Sequence, residues 1–86
     1  MIIQIKAKHY RNTYFSECLN CAISKAVRDA LPLVSRVNEG VTNVKIDGKQ
    51  YEHDPYWPED FRKDQDEAKK HNWDEIVIRE IEIQGL

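Results

Sequence analysis

The chain patterns as an α+β domain with the ferredoxin-like order β-α-β-β-α-β. That class has an antiparallel-rich, four-stranded sheet with two helices on one face. Three observations predict it. Residues 1–8 alternate, with Ile3, Ile5 and Ala7 in one phase and Gln4, Lys6 and Lys8 in the other. Residues 19–31 place Leu19, Ala22, Ile23, Ala26, Val27, Ala30 and Leu31 at spacings of three and four. Asp47-Gly48 separates two extended runs.

Each element has a local cause. Period two with isoleucine argues for a half-buried strand at the start. His9 to Glu17 has no period and reads as a loop. The three-four spacing predicts a helix over 19–31, with Ser16 or Asn20 supplying the N-cap oxygen that accepts from an early helical N–H. Pro32 disfavours helical geometry at Leu31 and ends the helix. The stretch 33–38 is β-prone and allows an extra short strand. Residues 41–46 and 49–53 pair as a hairpin, because Asp-Gly suits a type I′ turn with positive φ at both centres. Pro55 and Pro58 stiffen the next loop, and Pro58 suits the first position of a helix. Glu59 and Asp60 then favour the positive end of its dipole. In 59–71 only Phe61 and Ala68 are clear inward candidates, so this helix is expected to lie loosely on the surface. Residues 73–83 form the last strand. Its apolar phase breaks near Arg79-Glu80, which suggests a bulge or a strand covered on both faces at one end. In the ferredoxin-like arrangement the first and third strands are central and parallel.

Length and composition bound the function. Eighty-six residues allow one domain, 1–86, with a small core. A content of 41% hydrophobic residues, patterned as above, excludes intrinsic disorder. No apolar run approaches the roughly 18 residues of a membrane span. The first residues carry no signal-peptide pattern, so a cytoplasmic location is expected. The net charge of −2 hides an asymmetry. Residues 1–50 hold eight Lys or Arg against four Asp or Glu, and residues 51–86 hold five against eleven. The halves therefore carry +4 and −6. Such charges usually only keep a surface solvated. An acidic half also suits a basic groove on another protein. Direct nucleic-acid binding is disfavoured, because no dense basic run exists and the isoelectric point is about 5.9.

Two residue sets carry chemistry. Cys18-Leu19-Asn20-Cys21 is a C-x-x-C at a helix start, the geometry that lowers a thiol pKa in thioredoxin-like dithiol oxidoreductases. Against that reading, the connection from the first strand is long and no proline lies in a suitable facing loop. The commoner role of such a cysteine is a small packed side chain. The same pair supplies half of a zinc site, for which His9, His53 and His71 match no known spacing. Carboxylates crowd 52–67, without an EF-hand spacing or a Gly-rich phosphate loop, and no cofactor is expected. The second set is Tyr56-Trp57 between two prolines. A stiff aromatic loop loses little entropy on binding, and Trp and Tyr are frequent interface anchors. Trp57 equally suits a staple of the second helix onto the sheet.

The stretch 3–31 resembles short uncharacterised proteins of phages and mobile elements from Bacteroidetes-type hosts. The matching residues are Lys8-His9-Tyr10 and Cys21-Ala22-Ile23-Ser24-Lys25-Ala26-Val27. The resemblance implies a small host-directed accessory protein and no established activity. Together these readings give a non-enzymatic protein-binding or inhibitor domain, directed at a host defence protein with a basic surface. Its expected binding residues are Asp54, Tyr56, Trp57, Glu59, Asp60 and Asp64. The alternative is a dithiol oxidoreductase using Cys18 and Cys21. A homodimer through a sheet edge at 49–53 is left open, with Lys49 and Glu52 as charges that discourage it.

Overall fold

A computed structural model describes residues 1–14 and 21–86. The elements are β1 (Ile2–Lys6), a 3₁₀ turn (Ala7–Tyr10), α1 (Ala22–Ala30), β2 (Val37–Glu39), β3 (Asn43–Ile46), β4 (Lys49–His53), α2 (Pro58–Lys70) and β5 (Val77–Gln84). The α+β class is as expected. The sheet differs from expectation in two ways. It has five strands, because the β-prone stretch before the hairpin does become a strand. Its order is β1-β5-β4-β3-β2, and every pair is antiparallel. The first strand is therefore an edge paired with the last, and the ferredoxin-like pair of central parallel strands does not form. β4 lies between β3 and β5, so 49–53 is not the edge strand of the sheet, and within it Glu52 and His53 pair with β5.

Side-chain tethers explain the fifth strand. Asp47 and Gly48 have φ of 50° and 89°, the positive pair that a type I′ turn requires. Asp47 Oδ1 accepts from the Ser35 and Arg36 N–H groups at 3.0 and 2.8 Å, and the Asp47 N–H donates to the Arg36 carbonyl. The turn thus holds the lead-in to β2 beside β3. Gly48→Ala is expected to cost about 1–2 kcal/mol, since a Cβ there meets no atom but is forced into left-handed backbone. A melting temperature lowered by about 4–8 °C per kcal/mol in thermal denaturation checks this.

The sheet curls around α1, which packs against both β1 and β2, the two edge strands. Ala22, Ile23, Ala26 and Val27 face Ile3, Ile5, Val37, Val44, Ile46, Ile81 and Ile83 in one core. Each fully buried Ile or Val there contributes about 1.5–3 kcal/mol of transfer free energy. Leu31 ends α1 before Pro32, as expected. Cys21 is the N-cap and makes no side-chain cap bond. Ser16 and Asn20 lie outside the described residues. α2 buries Phe61 and Ala68, the two inward positions its sequence offers. It rests on the 3₁₀ turn and on β5. Its end is a left-handed pair, Asn72 and Trp73, so the strand begins at Val77 rather than at 73. The expected bulge is present. Ile5 pairs with Arg79 but Lys6 pairs with Val77, so Ile78 has no opposite residue and the side-chain phase shifts.

Candidate functional site

β4 and β5 pair at only two positions, Glu52–Gln84 and His53–Ile83. Beyond His53 the chain turns at Asp54-Pro55 into α2, and the two strands separate. The Tyr56 N–H donates to the Val41 carbonyl at 2.8 Å and fixes the loop. The proline before α2 places Trp57 at the N-cap, where its ring projects outward and is 52% exposed. Asp54 and Glu59 are exposed beside it, and Asp60 is half-buried. The strand separation leaves a small cleft of about 140 Å³ lined by Asp54, Pro55, Tyr56, Arg79, Ile81 and the carboxylates of Glu80 and Glu82. Glu80 and Glu82 extend the acidic surface and were missed in the sequence. Their signal was the outward phase of the last strand, distant from Asp54 in sequence.

Two expected binding residues are corrected. Tyr56 is 2% exposed and belongs to the core. Its ring packs on Phe61, which also packs on Tyr10, with centroids 6.1 and 5.5 Å apart. Asp64 is no free surface carboxylate. Its Oδ2 accepts from the Tyr56 hydroxyl and from Arg79 Nε, both at 2.5 Å. Tyr56 Oη accepts in turn from the Tyr10 hydroxyl at 2.6 Å. The Arg79 guanidinium also covers the Tyr56 ring at 4.7 Å. Burial pushes both phenols well above their ordinary value, so they remain donors. Gln65 Nε2 donates to the carbonyls of Tyr10 and Thr13, which ties α2 to the 3₁₀ turn. Tyr56 and Asp64 therefore hold the loop and helix that present Trp57.

Cys21 is buried, with Sγ 3.5 Å from Ser24 Oγ. Burial pushes its thiol up, the reverse of the activation that dithiol exchange needs. Cys18 lies outside the described residues. The three histidines are separated, and each faces its own carboxylate. His9 Nε2 donates to Asp29 Oδ2 at 2.6 Å while Nδ1 accepts from the Lys6 N–H. His53 Nε2 lies 2.6 Å from Glu39 Oε1, and His71 Nε2 lies 3.2 Å from Glu67 Oε1. Among the described residues no three His, Cys, Asp or Glu side chains converge on a metal position.

The Glu39–His53 pair was also missed. It is buried, and Glu39 Oε2 has no hydrogen-bond partner among the described residues. Glu39 is the inward last residue of β2, directly before Gly40. An acid–imidazole pair sealed from solvent offers no route to a substrate proton, so its consequence is for stability. Among the described residues no helix is long and apolar enough to cross a membrane.

The class so defined is a small α+β domain with a five-stranded, curled antiparallel sheet and an acidic, tryptophan-bearing rim. No family model, curated protein or solved structure matches the chain.

Proposed function

We propose that the chain is a non-enzymatic protein-binding accessory domain of inhibitory type. It docks onto a basic surface of another protein through Trp57 and the carboxylates around it. The observation that carries this reading is a half-exposed Trp at the mouth of a helix, flanked by Asp54, Glu59 and Asp60 and continued by Glu80 and Glu82. An aromatic held by prolines on a fixed N-cap is preorganised, which lowers the entropy lost on docking. The surrounding charge speeds encounter with a basic partner. A basic groove such as the nucleic-acid channel of a host defence protein has the complementary chemistry. The phage and mobile-element proteins that residues 3–31 resemble fit that role.

Affinity capture from a bacterial lysate, read by quantitative mass spectrometry, tests it. A partner of this surface is expected to be depleted about 30-fold by Trp57→Ala, the effect of losing about 2 kcal/mol at an anchor. The double variant Glu59→Lys/Asp60→Lys should deplete the same partner, and added salt should weaken its capture. Equal capture by all three folded proteins removes this surface.

A further inference from the structure

β1 has one paired side. Met1 N donates to the Ile83 carbonyl at 3.1 Å, and the Ile83 N–H donates back to Met1 O at 2.8 Å. Antiparallel alternation then makes Ile3–Ile81 and Ile5–Arg79 the next doubly bonded pairs. The backbone groups of Ile2, Gln4 and Lys6 consequently point away from β5. On that side no strand lies among the described residues, since β1 ends the sheet. His9 Nδ1 accepts the Lys6 N–H and closes the edge at its end. The N–H and C=O of Ile2 and Gln4 are left aimed at a groove of about 620 Å³, whereas the Lys6 C=O is the N-cap acceptor of the 3₁₀ turn. Ile2, Gln4 and Lys6 form its strand side. Ala26 and Ala30, one turn apart on α1, form its helix side.

We propose that this groove takes an extended segment of another protein as a sixth, antiparallel strand beside β1. This surface adjoins the Trp57 face at Glu80, which lines both and accepts from Gln4 Nε2 at 3.4 Å, and it goes beyond the proposed function. The distance from Ile2 to Lys6 is about 13 Å of strand, enough to lie beside five residues of the segment, of which those opposite Ile2 and Gln4 make the main-chain bonds. Residues of the segment opposite Ile3 and Ile5 fall over Ala26 and Ala30, where the absence of larger side chains leaves room for Val or Ile. Residues opposite Ile2, Gln4 and Lys6 lie on the outer face. A carboxylate belongs at the Lys6 end. Lys6 there pairs with Glu75 at 3.1 Å and shares it with Lys8 at 3.0 Å, which also lies 3.7 Å from Asp29 Oδ2. A second copy of this chain is a poorer occupant. Two-fold pairing of β1 with itself brings the second α1 into the space that the first already lines.

The probe is the peptide acetyl-Asp-Glu-Val-Thr-Val-Thr-amide, titrated into the labelled chain and read by amide chemical shifts. Saturable shifts are expected at Ile2, Gln4, Ala26 and Ala30. Gln4→Pro removes the outward N–H without touching the bonds to β5, as edge prolines do, and should weaken binding about tenfold or more. Ala30→Arg fills the groove from an exposed helix position and should do the same, which keeps the test decisive if Gln4→Pro fails to fold. Replacing the two acids by Lys should weaken the peptide as well. Absence of saturable shifts at millimolar peptide overturns the proposal. So do shifts confined elsewhere, or equal binding by Ala30→Arg. A concentration-dependent doubling of mass in light scattering, abolished by Ala30→Arg, assigns the groove to a second copy and also overturns it.

Discussion

His53→Ala is expected to destabilise the protein by about 3–5 kcal/mol at neutral pH, because it leaves the Glu39 carboxylate buried without its partner. At about 4–8 °C per kcal/mol for a chain of this size, the melting temperature falls by more than about 10 °C. The geometry gives this effect a pH signature. His53 Nδ1 donates to the Asp54 carbonyl at 2.7 Å, so the pair's second proton lies between Nε2 and Glu39 Oε1. Burial pushes Glu39 above its ordinary 4.5, and the bond from His53 recovers only part of this. Burial alone would lower His53. Its bonds to Glu39 and to the Asp54 carbonyl outweigh burial and hold it above 6.5. Both folded values exceed the unfolded ones. The pair therefore keeps protons that the unfolded chain has released, and stability falls as pH rises. That contribution is complete below the unfolded values and is lost as pH climbs through the folded ones, above about 6.5 for His53.

His9 has the opposite sign. Burial lowers it despite Asp29, so its contribution holds above about 6.5 and is lost as pH falls. A melting series between pH 5 and 8 should thus show a maximum with two limbs (above about pH 8 the buried Cys21 thiol, also raised, adds a loss of its own as the unfolded thiol ionises). Glu39→Gln should flatten the alkaline limb, whose slope cannot exceed about 1.4 kcal/mol per pH unit per proton. It should leave the acid limb in place. An alkaline limb that survives Glu39→Gln would show that the pair does not carry it.

The elements were legible because their causes are local. Ile3 and Ile5 alternate, Ala22 to Val27 repeat at helical spacing, and Asp47-Gly48 supplies the two positive φ values of its turn. Even the bulge opposite Ile5 was written in the phase break of the last strand. The strand order was not legible, because it depends on which edges meet after α1 is wrapped. Five residues of β1 pair equally well as an edge or as a centre. β2 was ambiguous because its strand is held by Asp47, a residue of another turn. At the site, Trp57 was readable from its prolines and Pro58 from its place at the first helical turn. Tyr56 was misjudged because neighbouring aromatics in a loop point opposite ways, one to Phe61 and one to solvent. Asp64 looked like one more helix carboxylate, since nothing near it in sequence reveals Arg79 across the sheet.

Asp64→Leu is the second large effect, expected to cost about 2–4 kcal/mol. Asp64 Oδ2 accepts from Tyr56 and Arg79 at close range and lies 3.4 Å from the Tyr10 hydroxyl, and its loss takes the acceptor from a buried Tyr56 hydroxyl while freeing Arg79. The Arg79 side chain is about a third exposed and can turn to water, so the cost stays below that of a fully enclosed charge. A graded series separates the links. Tyr10→Phe removes only the outermost donor and leaves Tyr56 bonded to Asp64, at about 1 kcal/mol. Tyr56→Phe breaks the chain in the middle and should cost more. The double variant Tyr56→Phe/Asp64→Leu should cost less than the sum of its parts by about 1 kcal/mol, because both substitutions remove the same bond. Urea denaturation measures all four, and strict additivity would mean the short Tyr56–Asp64 bond carries no coupling. The same series tests how the Trp57 surface is held. Tyr56 anchors the loop before α2 and Asp64 anchors the helix to β5, so their loss should loosen Trp57 without altering its own chemistry. At temperatures where each variant remains folded, Tyr10→Phe should leave partner capture intact, whereas Trp57→Ala should abolish it with little change in stability.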